Sequence, residues 1–152
     1  MTFRRGVRLG VDVGSVRIGV ARCDPDGILA TPVTTVARGD GDLDQLAGLA
    51  QEYAALEIVV GLPVTLKGAH GPAAVAVVEF ATSLSRVVDV PVRMVDERLS
   101  TAAAQRGLHA AGRDTRSSRS TIDQAAAVLI VQSAVDFEKA TGEPAGRMVI
   151  TA

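Results

Sequence analysis

Three carboxylate positions in this chain stand in settings that suit chemistry: Asp12, the adjacent pair Asp96-Glu97, and Asp123. Asp12 lies within Leu9-Gly10-Val11-Asp12-Val13-Gly14-Ser15, which alternates with the period of a strand. Leu9, Val11 and Val13 fall on one face, and Gly10, Asp12 and Gly14 on the other. The first face suits a core. The second surrounds a charge with glycine and so admits something that approaches the backbone closely. A metal ion or a phosphate fits that description, while an Asp that opens a hairpin turn is the competing reading.

Asp96 and Glu97 follow the apolar run from Val92 to Val95. Parallel α/β sheets carry their sites just beyond such strand ends; an ion pair with Arg98 or a turn is the plainer alternative. Asp123 heads a stripe formed with Ala126, Ala127, Ile130 and Val131 at helical spacing, so it points toward a sheet and not toward solvent. Favourable charge in a helix's first turn, worth up to about 1 kcal/mol, explains its place along the helix but not its inward face.

Acids from a first strand, a later strand end and a final helix could converge into an oxygen-only cluster. With one cysteine and two histidines in the chain, soft ligands are scarce, so the cluster prefers Mg²⁺ or Mn²⁺ to Zn²⁺. A pair of such ions, one at the attacking water and one at the leaving oxygen, is an arrangement that cleaves phosphodiesters. The run Arg113-Asp114-Thr115-Arg116-Ser117-Ser118-Arg119-Ser120 directly precedes Asp123. Arg113, Arg116 and Arg119 could hold a phosphate backbone without reading bases, or the run could be a solvated loop.

The elements that must position these groups are legible as one α/β domain over residues 1–141, followed by a tail over 142–152. A chain of 152 residues with 47% hydrophobic content buries a sizeable core. Aromatics at 3% leave that core to Val, Ala, Leu and Ile and weaken any base-stacking mode of binding. The net charge of −1 excludes a global electrostatic pull on nucleic acid, so such binding needs a local patch. Cys23, the single cysteine, is expected in a strand as a buried small hydrophobe, with no redox role assigned. Nothing resembles a secretory leader or a membrane span, so the expected location is the cytoplasm.

In order, the pattern predicts two hairpin strands around Gly14, the second over Ile18 to Arg22, and a third strand from Ile28 to Val36. Pro32 calls for a bulge or an edge position there. A helix capped by Asp42 runs from Leu43 to about Leu56, then comes a buried strand from Glu57 to Gly61. A helix from Pro72 to about Val88, the strand Val92 to Val95, a helix over Thr101 to Ala111 and a last helix from about Thr121 to Ala140 complete the domain. Thr121 with Gln124 resembles a capping box. The fold class is α/β, a mixed five-stranded sheet of three antiparallel and then parallel strands flanked by helices.

Several of these motifs, in this order, resemble the YqgF (RuvX) family of small bacterial nucleases with an RNase H-like fold. They are Leu9 to Ser15 with Arg17-Ile18-Gly19-Val20-Ala21, Val60-Gly61-Leu62-Pro63, Val95-Asp96-Glu97-Arg98-Leu99-Ser100-Thr101 and Ile122-Asp123-Gln124-Ala125-Ala126-Ala127. The resemblance implies catalytic, metal-binding carboxylates at Asp12, Glu97 and Asp123, with Asp96 as the alternative ligand beside Glu97. It further implies nucleic-acid contacts at Ser15, Arg17, Lys67, Arg98, Arg113, Arg116 and Arg119. Family membership implies processing of the 5′ end of the small-subunit ribosomal RNA precursor, or resolution of branched DNA junctions, by a monomer or a homodimer. The chain departs from the family pattern at Val64-Thr65-Leu66-Lys67, where an Asn-bearing segment is usual, and in carrying Arg and Ser where Lys is frequent before Asp123. A non-catalytic nucleic-acid-binding factor is the alternative of another class. The glycine hairpin also resembles the phosphate hairpin of the sugar-kinase and actin superfamily, but those proteins close two such domains on ATP and this chain has room for one.

Overall fold

A computed structural model describes residues 3–63, 71–96 and 115–149, with the backbone alone for 115–122. Six strands form one mixed sheet: β1 (Arg8–Val13), β2 (Arg17–Cys23), β3 (Ala30–Ala37), β4 (Glu57–Leu62), β5 (Val92–Asp96) and β6 (Arg147–Met148). Their order across the sheet is β3-β2-β1-β4-β5-β6. The hairpin pairs β1–β2 and β2–β3 are antiparallel, β1–β4 and β4–β5 are parallel, and β5–β6 is antiparallel. Helices α1 (Asp42–Glu52) and α2 (Pro72–Val87) cover one face, and α3 (Thr115–Thr141) covers the other.

The strand period sets which face each side chain meets. Leu9, Val11, Ile18, Val20, Ile58 and Val60 join Leu46, Val77, Phe80 and Leu84 in the core under α1 and α2. Residues of opposite parity, among them Ala21, Cys23 and Val59, meet Ala126, Ala127, Ile130, Val131 and Val135 of α3. Cys23 is buried in β2, as expected, and burial pushes its thiol pKa up. Pro32 lies on the edge strand β3, beside a register shift at Val20/Ala21, so both expectations for it hold.

The elements differ from the sequence reading in four places. The sheet has a sixth strand, inside the residues read as a tail: Val149 N–H donates to the Val92 carbonyl at 2.7 Å and Ala145 is buried. The last helix begins at Thr115, so the backbone of the polar run is helical from there and not a loop. Gly41, in a left-handed conformation with φ 89°, precedes α1 where Asp42 was expected as the cap, and Asp42 Oδ2 instead accepts from the Gly39 N–H at 3.1 Å. That helix also stops earlier, at Glu52, and the left-handed Ala54 (φ 50°) turns the chain into β4. The helix expected over Thr101 to Ala111 lies outside the described residues.

At the sheet end where β1 and β4 begin, charges are buried together. Glu138 of α3 accepts from the Arg4 Nη2 at 2.7 Å, from the Arg4 backbone N–H at 2.9 Å and from Arg8 Nη2 at 3.1 Å. Arg4 also reaches Glu57 at 2.9 Å, and Arg93 Nε stands 3.4 Å from the same carboxylate. Arg8, Glu57 and Glu138 are each no more than 2% exposed. Burial alone would push Glu138 up, but hydrogen bonds from the Arg4 side chain and backbone, with the charges of Arg8 and Arg4, bring its pKa down to about 2. Hydrogen bonding to Glu138 holds the Arg4 guanidinium above its ordinary range.

Candidate active site

Parallel strands β1, β4 and β5 all end at the opposite edge of the sheet from that ion cluster. Asp12 occupies the last turn of pleat in β1, 7% exposed, with Gly19 of β2 as its cross-strand partner. Gly19 is in turn paired with Thr35 of β3, so Asp12, Gly19 and Thr35 form a row on the α3 face. The α3 helix crosses this row at Asp123 and Gln124. A Cβ added to Gly19 would overlap the Asp123 carbonyl, and Gln124 Nε2 donates to Thr35 Oγ1 at 2.8 Å. Asp12 and Asp123 are thereby brought to the same end of the same face.

The glycines of this hairpin serve the helix and not a ligand, which corrects the expectation that they clear space for metal and phosphate. A Cβ at Gly10 would stand 2.6 Å from the Ala127 carbonyl and 2.7 Å from the Val131 Cβ. Gly61 faces Ile130 in the same way, at 2.5 Å. Gly14 belongs to the turn: its N–H donates to the Arg17 carbonyl at 2.9 Å, and a Cβ there would lie 2.7 Å from that oxygen. Small residues on the sheet let α3 approach closely enough to set Asp123 over Gly19, the cross-strand partner of Asp12. Gly19→Ala is accordingly expected to push the Asp123 end of α3 off β2, costing about 1–3 kcal/mol. A urea midpoint equal to that of the wild type would contradict this packing.

The other candidates separate clearly. Arg17 opens β2 with its Nε 3.4 Å from Asp123 Oδ2, and Ser15 is exposed in the hairpin turn. Asp96 ends β5, paired with Leu62 and partly buried. Arg116 and Arg119 fall in the first turns of α3, where the backbone alone is described. Glu97, Lys67, Arg98 and Arg113 lie outside the described residues. Among the described residues no three His, Cys, Asp or Glu groups gather as a metal site. Asp12 and Asp123, placed at the same end of one sheet face, are hard oxygen donors, a chemistry that fits Mg²⁺ or Mn²⁺.

Two contributors escaped the sequence reading. Gln124 spans to β3 and makes no capping box, because the helix starts well before Thr121. Arg38 Nη1 donates to the Gly14 carbonyl at 2.8 Å while its guanidinium lies over the Phe80 ring at 5.0 Å and its Nε stands 3.5 Å from Asp42. It ties the turn after Asp12 to the body of the domain. An Arg four residues before Asp42 was the only local sign of it.

Comparisons with known proteins bear on the family and the fold. A family model described as RuvX, Holliday junction resolvase, matches residues 6–137. A Streptomyces avermitilis protein named "Putative pre-16S rRNA nuclease" is 53% identical over 152 residues, covering 98% of this chain and 97% of that one. A Thermobifida fusca protein of the same name is 52% identical over 155 residues, covering 97% and 98% of the two chains. The Thermus thermophilus RuvC in complex with a Holliday junction substrate superposes with a TM-score of 0.55 at 14% identity, over 94% of this chain and 99% of that one, which is a likeness of fold. Sequence, sheet order and match length therefore converge: the chain belongs to the RuvX family of nucleases.

Proposed function

We propose that this chain hydrolyses phosphodiester bonds in the precursor of 16S ribosomal RNA, with Asp12, Glu97 and Asp123 holding divalent cations. The observation that carries the reading is the placement of Asp12 and Asp123 at one end of one sheet face, built by the contact of α3 with Gly19. Parity supports Glu97 over Asp96 as the third acid. Asp96 has the parity of Val92 and Met94, which pack under α1 and α2, whereas Val95 packs into the α3 cluster on Asp12's face. When bound, Mg²⁺ or Mn²⁺, as one ion or two, supplies Lewis-acid stabilisation of the charge that develops on the scissile phosphate. The protein's own part is to fix the carboxylates on a rigid strand and helix, and to offer Ser15, Arg17 and the α3 start with Arg116 and Arg119 to the phosphate backbone. Lys67, Arg98 and Arg113 complete that proposed contact set. The relatives' name supports RNA as substrate and, with it, action in the cytoplasm. No helix among the described residues is long and apolar enough to cross a membrane.

The family model's description favours a second reading, the cutting of branched DNA. The deciding experiment compares a 5′-extended 16S precursor fragment with a four-way DNA junction, in Mg²⁺ and in Mn²⁺. Metal-dependent cleavage of the RNA at one position, with the junction left intact, is the expected result. Cleavage confined to the junction would overturn the RNA reading, and binding without cleavage of either would return the chain to a non-catalytic factor.

A further inference from the structure

The ion pair between Arg17 and Asp123 has a use that the carboxylate cluster alone does not supply. Its two members are held differently. Asp123 is seated by its backbone against Gly19, and the next residue is tied to Thr35 by the Gln124 hydrogen bond. Arg17 reaches it from the start of β2 through a long side chain that remains 30% exposed, against 20% for the carboxylate. Arg17 also adjoins the exposed turn residues Ser15 and Val16, at the rim where a phosphate backbone would approach. The same guanidinium therefore faces an acid inside the site and solvent outside it.

We propose that Asp123 holds Arg17 back from nucleic acid, and that Arg17 is released to grip a phosphate when a divalent cation takes the Asp123 carboxylate. A hard divalent cation carries twice the charge of a guanidinium and prefers carboxylate oxygen, so it outcompetes Arg17 for the shared partner. The freed guanidinium presents its planar fork to phosphate oxygens. Cation and phosphate backbone then strengthen each other's binding through one side chain, a reciprocity that linkage requires. This inference rests on the reading of Asp12 and Asp123 as a cation site facing a scissile phosphate.

Binding in the absence of metal tests the latch by itself. Anisotropy of a fluorescein-labelled RNA hairpin is measured in EDTA with the wild type, Asp123→Asn, Asp12→Asn and the double variant Arg17→Gln/Asp123→Asn, each checked for its fold by circular dichroism. Asp123→Asn mimics the occupied site and is expected to bind the hairpin about tenfold more tightly than the wild type. Asp12→Asn removes the same charge from the same face while both members of the pair remain, and is expected to gain no more than about twofold. The double variant is expected to lose the gain. Equal tightening by both single variants would show a general charge effect and overturn the latch, as would a gain that survives in the double variant. Mn²⁺ titration of wild type and Asp12→Asn, followed by electron paramagnetic resonance, tests the cation reading separately. Unchanged Mn²⁺ binding in Asp12→Asn would overturn that reading whatever the EDTA comparison gives.

Discussion

Asp12→Asn is expected to lower metal-dependent RNA cleavage by about a thousandfold, the equivalent of roughly 4 kcal/mol of transition-state stabilisation. The substitution keeps the volume and a hydrogen-bonding oxygen and removes only the negative charge. Because Asp12 is 7% exposed in β1, opposite Gly19, the amide cannot turn out to solvent and let another group replace it. Stability is expected to change little, since the variant leaves the packing of α3 on the glycines intact. Single-turnover cleavage of an end-labelled RNA fragment in Mg²⁺ and Mn²⁺, beside urea unfolding of the same preparations, gives both readings. Full activity in the variant would end the carboxylate model.

The largest effect on stability is expected at the other end of the sheet, from Glu138→Ala. Glu138 binds the side chain and backbone of Arg4 and the guanidinium of Arg8, which is 1% exposed. Its removal leaves Arg8 buried with its ion-pair acceptor gone, a class of change that costs about 3–5 kcal/mol. Against a usual domain stability of about 5–15 kcal/mol, that is a large share. The same carboxylate makes the fold acid-sensitive. Its folded pKa, about 2, is depressed from the ordinary glutamate value of 4.5, so its contribution is complete above about pH 4.5 and is lost as pH falls toward 2. The shift corresponds to roughly 3 kcal/mol. Glu138→Gln removes the titrating group, so its stability is expected to fall less steeply than the wild type's between pH 5 and about pH 2. Urea midpoints across that range check both variants, and parallel acid limbs in wild type and Glu138→Gln would refute the assignment.

The two ends of the sheet differ in how far the sequence foretold them. At the end that carries Asp12, the sequence names Asp12 and Asp123 from local patterns, a glycine hairpin and an apolar helical stripe, and Arg17 from the family motif that contains it. At the other end nothing marked Arg4, Arg8, Glu57 and Glu138, since their pairing spans as many as 134 positions and has no local signature. The sixth strand was missed for a related reason. Arg147–Met148 is too short to show a period, and it becomes a strand only by pairing with β5. The start of α3 was hidden because Arg113 to Ser120 is polar throughout and offers no apolar stripe to read.

By itself, then, the sequence determined the strands and helices with strong periodicity, the parity that puts Leu9 and Val11 on one face and Gly10 and Asp12 on the other, and the family. Parity says which side chains share a face but not what that face meets. Only the tertiary structure decided that α3 fills the glycine floor, that Asp123 rests on Gly19, and that Arg17 pairs with Asp123. Those contacts depend on which helix crosses which strands and how closely. Backbone approach, set by glycines on one element and small residues on another, is a property of the packed pair and is written in neither segment alone.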